Sequence, residues 1–220
     1  MNDNKISNNK WESEREKIKV NKKLINKMII KHLIYEANEE AVLSFEKESG
    51  IIHDYDKDLL HLRSEIKKNI YSGKIDNVID LINEIDTDIL RNERIEFELL
   101  KLKFIEYLKQ NKSEEALEFA KNKLYALAEN NDDNNSELKK LMLLFMYDDI
   151  NKSPFINFLN NDYFKSVFSI VNNEILKFKM ENFVPTLHIT LKIMKFYQQE
   201  LKSCGINFSE ITDVTPIKYK

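Results

Sequence analysis

Apolar residues recur along this chain at helical spacing, separated by charged and polar positions. Leu24, Ile25, Met28, Ile29 and Leu33 form one stripe, with Lys22, Lys23, Lys27 and Lys31 outside it. This pattern begins near Trp11, after a polar, Asn-rich start that is expected to fray. Ala41, Val42 and Phe45 mark a second, short helix, and Ser49-Gly50 supplies a glycine stop. Past an acidic loop, Leu59, Leu62, Ile66 and Ile70 lead up to Ser72-Gly73, and Ile75, Val78, Ile79 and Ile82 make the next stripe. Asp86-Thr87-Asp88 offers turn and cap chemistry before an apolar helix over 95–108. Ser113 reads as an N-cap, with Glu114 and Glu115 placed to favour the helix dipole. Ala116, Leu117, Ala120, Leu124 and Leu127 follow on one side.

Residues 129–136 are rich in Asn and Asp and predict a loop. Residues 138–146 are apolar around most of a helix, which predicts a buried central element. Ser153-Pro154 has the form of a cap and first turn, because proline at that position gives up no hydrogen bond. Val167, Ile170, Val171, Ile175 and Phe178 stripe a further helix. Pro185 is expected to open the last one, carrying Leu187, Leu191, Met194 and Leu201 and closed by Gly205. The tail from Ile206, with Thr215-Pro216, reads as extended. The sum is an all-α fold of about nine helices in antiparallel neighbours joined by short loops.

Composition sharpens this. Gly and Pro number only 3 each among 220 residues, too few for the turns of sandwiches, barrels or α/β folds. Lys and Arg total 34 against 37 Asp and Glu, a formal charge of −3, so no basic excess favours nucleic acid. The single cysteine, Cys204, excludes an intramolecular disulfide and a cysteine-based zinc site. No apolar run spans a bilayer and no signal region precedes the first helix, so the expected compartments are cytoplasm and nucleus.

No catalytic, cofactor-binding or metal-binding set emerges. His32, His53, His61 and His188 fall in different predicted elements, none in an HExxH arrangement. His32 lies on the apolar stripe and reads as a core or interface residue; His53 and His61 flank the acidic loop. Three scattered glycines build no phosphate loop, and Asp132-Asp133-Asn134-Asn135 lacks the glycine and terminal Glu of a calcium loop. The basic segment Lys17 to Lys31 has an apolar face better suited to a partner helix than to a membrane.

A resemblance adds to these readings. Ile25-Asn26-Lys27-Met28-Ile29-Ile30-Lys31-His32-Leu33, then Glu40-Ala41 and Phe45-Glu46-Lys47-Glu48-Ser49-Gly50-Ile51, resemble a LisH motif. Arg63, Ile66, Ile70, Gly73, Ile75, Ile79, Ile82 and Leu90 resemble the opening of a CTLH motif. Phe97, Ile105-Glu106 and Ala116-Leu117-Glu118-Phe119-Ala120 resemble its close and the start of CRA. Ser153-Pro154-Phe155, Val171-Asn172 and Gln199-Glu200-Leu201 resemble the rest of CRA. The chain thus resembles the LisH–CTLH–CRA family, in particular the small scaffold subunits of CTLH/GID (glucose-induced degradation) ubiquitin ligases. It departs from the pattern at Ala37 and Asn38, where LisH usually has a glycine and an aromatic, and at His32, where a tyrosine is common.

The resemblance implies an extension over 1–19, LisH over 20–52, CTLH over 58–115, CRA over 111–203 and a loose tail over 204–220. It implies that the C-terminal helices fold back on the LisH. It further implies a non-enzymatic scaffold that needs no cofactor and joins a RING pair to a substrate-receptor side. The expected partners are LisH–CTLH–CRA subunits, including the RING pair and a SPRY-type subunit, and an armadillo-repeat subunit; neither nucleic acid nor membrane is among them. Ile25, Met28, Ile29, His32 and Leu33 are the expected LisH contact face, each also readable as intramolecular core. Pairing with a second copy, and a LisH dimerisation protein unconnected to ubiquitin, stay open as alternatives.

Overall fold

The computed structural model describes residues 8–129, 131–147, 150–179, 186–206, 208 and 210. They are helical, with no strand among them. The chain divides into two compact units, one formed by Met1–Tyr55 with Val184–Lys220 and the other by Asp56–Phe183.

In the first unit, α1 (Asn8–Lys17) and α2 (Lys22–Tyr35) are separate helices, although the apolar pattern from Trp11 reads as one. The break has a local cause. Asn21 caps α2, its side-chain oxygen accepting from the backbone N–H groups of Lys23 and Leu24. At the other end the backbone turns through Ala37, which is buried and left-handed at φ 50°. That is the position where the LisH pattern usually has glycine, and this chain holds an alanine in the glycine conformation. Asn38 then caps α3 (Glu39–Ser49) by accepting from Ala41 N–H, and Gly50 closes it at φ 65°. The buried residues are Ile30, Ile34, Tyr35, Ala37 and Val42, joined by His188 and Ile206 from the far end of the sequence. The C-terminal helix α11 (Thr186–Ser203) packs on α2, so the expected fold-back is present.

In the second unit, α4 (Lys57–Ser72) packs on α5 (Ile75–Ile85) and on α10 (Asn161–Lys179). A 3-10 turn, Thr87–Arg91, leads to α6 (Glu93–Lys109), which touches α5 and α10. Next come α7 (Ser113–Phe119), a π-segment Ala120–Leu124, α8 (Tyr125–Ala128) and α9 (Asp132–Met142). Ile66, Ile70, Val78, Ile82, Phe97, Phe104, Val167 and Val171 are buried together with Leu60 and Ile175. Ile66, Ile70, Val78, Ile82, Val167, Val171 and Ile175 lie on the stripes their spacing predicts, whereas Leu60 is buried off the expected α4 stripe and Phe178, expected on the α10 stripe, is exposed near that helix's end. Such burial contributes about 1.5–3 kcal/mol per large side chain. Two cations are enclosed as well. Arg63 donates from Nη1 to Asn172 Oδ1 at 2.9 Å, linking α4 to α10. Lys101 is 1 % exposed and pairs with Glu98 at 3.0 Å and with Glu137.

Four local expectations are corrected. Helix α9 occupies most of the expected 129–136 loop, because Asn131 caps it by accepting from Asn134 N–H while Asp132 and Asp133 sit in its first turn. Residues 138–146 are not one buried helix: α9 gives way to a 3-10 turn, Leu143–Met146, with Met146 largely exposed. Ser153-Pro154 opens no long helix; its buried Ser153 hydroxyl accepts from Phe155 N–H between 3-10 turns at Ile150–Lys152 and Ile156–Leu159. Ser113 is the first helical residue of α7, preceded by Lys112 at the cap without a side-chain hydrogen bond. Pro185 and Thr215-Pro216 lie outside the described residues.

Candidate partner-binding surface

The first unit hides little of its last helix. On α11, Leu187, Leu191 and Leu201 are half-buried and His188 is the buried residue. A second apolar stripe, Ile189, Ile193, Phe196 and Tyr197, lies at i, i+4, i+7 and i+8 and is exposed. Phe196 is 57 % and Tyr197 61 % exposed, and their rings meet edge-on at 5.7 Å. A helix apolar on two faces needs two partners, and the described part of this unit covers one. Sequence reading found the packed stripe through Leu187, Leu191 and Leu201, placed on it Met194, which is exposed, and missed the other stripe. The signal was present in the same 3.6-residue period, shifted around the helix.

Helix α2 shows the same doubling. Its core side is Ile30, Ile34 and Tyr35. Of the expected contact face, Ile25 is exposed, and Met28, Ile29, His32 and Leu33 are half-buried. Leu24, Ile18 and Val20 add further exposed apolar surface nearby in sequence. Lys22, Lys23 and Lys27 are exposed on α2, so charge borders the apolar residues.

The fold brings together two histidines that the sequence separates. The His32 and His188 rings meet edge to face, centroids 4.9 Å apart and planes at 81°, with Tyr35 6.0 Å from His188. Burial holds the His188 pKa below its ordinary value, and the charge of His32 pushes the same way. His53 also sits low, first through burial and then through Lys31. Glu36, one helical turn after His32, completes the group; the opposing pull on His188 comes from its carboxylate.

In the second unit, exposed apolar residues cluster along one stretch of chain: Leu143, Met146, Tyr147 and Ile156. A separate cleft of about 240 Å³ is lined by residues that include Ile70, Tyr71, Ile75, Leu102, Ile105 and Phe164. At its edge Lys109 places its ammonium 4.7 Å from the Phe164 ring centre, and burial lowers its pKa. The cleft wall is mostly apolar, with Glu106 and Lys109 its charged residues.

Helical pairs with capped ends and leftover apolar faces describe many proteins, so comparison with known chains decides among them. The family profile described as "CTLH/CRA C-terminal to LisH motif domain" matches residues 59–202. The chain belongs to the CTLH family. The CTLH match takes in nearly all of the second unit and runs into α11 of the first. Among CTLH relatives, the chain is 28 % identical over 216 residues to "Glucose-induced degradation protein 8 homolog" of Dictyostelium discoideum, covering 98 % of this chain and 94 % of that one. It is 29 % identical over 211 residues to "Protein GID8 homolog" of Arabidopsis thaliana, covering 96 % and 86 %. "GID complex subunit 8" of Schizosaccharomyces pombe is 29 % identical over 178 residues, covering 76 % and 74 %.

Proposed function

We propose that this CTLH protein is a non-catalytic scaffold subunit of a GID/CTLH-type ubiquitin ligase. One observation carries the reading: the likeness to relatives named for glucose-induced degradation and as a GID8 homolog runs over almost the whole chain, and that to a GID complex subunit over 76 % of it. The unpartnered stripes support it physically. Exposed Phe196, Tyr197, Ile193 and Ile189 on α11, together with exposed Ile25 on α2, are the kind of aromatic and aliphatic anchors that helix-to-helix interfaces use. The role is to join the RING pair to the substrate-receptor side, with a SPRY-type subunit and an armadillo-repeat subunit among the partners, in cytoplasm and nucleus. On this reading Ile25, Met28, Ile29, His32 and Leu33 form one docking face, and the α11 stripe extends it.

The test is affinity purification of the tagged full chain from its own cells, with mass spectrometry of what accompanies it. RING-bearing and armadillo-repeat LisH–CTLH relatives in near-equal amounts are expected. The double variant Ile193→Asp/Phe196→Asp should lose the partners held by the first unit while its far-UV circular dichroism stays unchanged. Recovery of only the chain itself, or of cytoskeletal or transcriptional proteins, would replace this function with LisH-mediated dimerisation unrelated to ubiquitin.

A further inference from the structure

A buried and a half-buried imidazole set edge to face are an expensive arrangement in a unit with so small a core. His188 is 7 % exposed and is the buried residue of α11; His32 is half-buried, and its Nδ1 is enclosed with no hydrogen-bond partner among the described residues. Burying a polar nitrogen without a partner costs free energy, so the site needs a reason that packing alone does not supply. Glu36 provides one. It follows His32 by four residues, one helical turn, and so faces the same side of α2. One ring nitrogen from each histidine and one carboxylate oxygen from Glu36 all lie within 4.8 Å of one another.

We propose that His32, Glu36 and His188 bind one divalent transition-metal ion of the zinc type, clamping the first turn of α11 to the last turn of α2. Two imidazoles and a carboxylate are a donor set Zn²⁺ accepts, at about 2.0–2.2 Å per bond, which places donors roughly 3.4 Å apart in a tetrahedron. The present separations exceed that by about 1.4 Å at most, a gap of the size a side-chain rotation spans. Imidazole disfavours Mg²⁺ and Ca²⁺, which take oxygen ligands. Three protein donors leave one position for water. Bound through Nδ1, the ion would also give that nitrogen of His32 a bond in place of the unmet one. This inference shares His32 with the proposed docking face, but its test is read on the chain alone as bound metal and so fails or succeeds separately from partner recovery.

The sequence conceals the site, because His188 follows the His32/Glu36 pair by more than 150 residues. Its chemistry differs from that of His53 and His61, which serve as internal controls.

The full chain, stripped with EDTA and dialysed, is titrated with ZnCl₂ at pH 7.5 by calorimetry, with metal content measured after desalting. One Zn²⁺ per chain is expected, together with a melting temperature that rises with Zn²⁺ concentration. CoCl₂ in its place should give visible d–d bands of low coordination number. Losing a group that merely orients a metal ligand weakens binding about 10–100-fold, so His32→Gln, Glu36→Gln and His188→Gln should each weaken it at least ~10-fold. His53→Gln/His61→Gln should leave it unchanged. Should His188→Gln fail to fold, Glu36→Gln, altered at a half-buried helix end, carries the test with His32→Gln. No Zn²⁺ retained by the wild-type chain, or affinity that survives His32→Gln and Glu36→Gln, would overturn the site. Loss of binding on removing His53 and His61 alone would do the same.

Discussion

Lys101 offers the sharpest test of how the second unit is held together. It sits 1 % exposed on α6, with its ammonium 3.0 Å from Glu98, paired also with Glu137 of α9, and over the rings of Phe97 at 5.0 Å and Tyr163 at 5.7 Å. Lys101→Met keeps the length and apolar stem of the side chain but removes the cation. Glu98, whose side chain is 13 % exposed, then keeps its carboxylate among apolar neighbours, with the Tyr163 hydroxyl donating to it at 3.3 Å. Breaking one side of a fully buried pair costs about 3–5 kcal/mol. The residual access of Glu98 to water puts this case near the lower end, about 3 kcal/mol. Glu137 is 44 % exposed, so Glu137→Gln should cost no more than about 1 kcal/mol. The double variant Lys101→Met/Glu98→Gln removes both charges and should return to within about 1 kcal/mol of wild type. Urea unfolding at 25 °C followed by circular dichroism measures all three. Lys101→Met within 1 kcal/mol of wild type, or Glu137→Gln costing more than Lys101→Met, would show that the buried Lys101–Glu98 pair within α6 is not where the stabilisation at this position lies.

Two further outcomes follow from single residues. Burial, and then the negative charges of Glu98 and Glu137, raise the Tyr163 phenol well above its usual value. A group whose folded pKa is raised contributes stability that is complete below its unfolded pKa of about 10 and is lost as pH rises above it, because the unfolded chain releases that proton first. Wild type should therefore lose stability between about pH 10 and 11.5 more steeply than Tyr163→Phe, read as the difference between their urea midpoints; equal slopes would contradict the assignment. Gly73 closes α4 at φ 74° with its N–H on the Asn69 and Ile70 carbonyls, and a Cβ there would meet Glu106 Cγ at 3.9 Å. Space is adequate, so Gly73→Ala should cost only the left-handed strain, about 1 kcal/mol, seen as a drop in melting temperature of a few degrees.

How much could be read from the sequence differed from element to element. Where a stripe ran into a glycine stop, as at Gly50 and Gly73, the helix and its C-terminal end followed from local chemistry, while the Asn38 and Asp56 caps at the other ends emerged only in the structure. Where caps were weaker signals, the reading slipped. Asn21 splits α1 from α2 and Asn131 starts α9 inside an expected loop, since Asn serves turn and cap equally well. The candidate site shows the sharper limit. Ile25, Met28, Ile29, His32 and Leu33 were legible as an apolar face of α2, yet Ile30 and Ile34 take the core. A helix with apolar residues on more than one side carries no information about which side its own chain will cover.

By itself the sequence determined an all-helical chain, its main helices and, through motif order, its membership of the CTLH family. Those depend on periodicity, caps and residue order, which are local properties. Only the tertiary structure decided that α11 returns to α2, that Lys101 is enclosed by Glu98 and Glu137, and that His32 and Glu36 meet His188. Contacts between residues distant along the chain are set by which faces of the helices find each other, and a linear pattern does not record them.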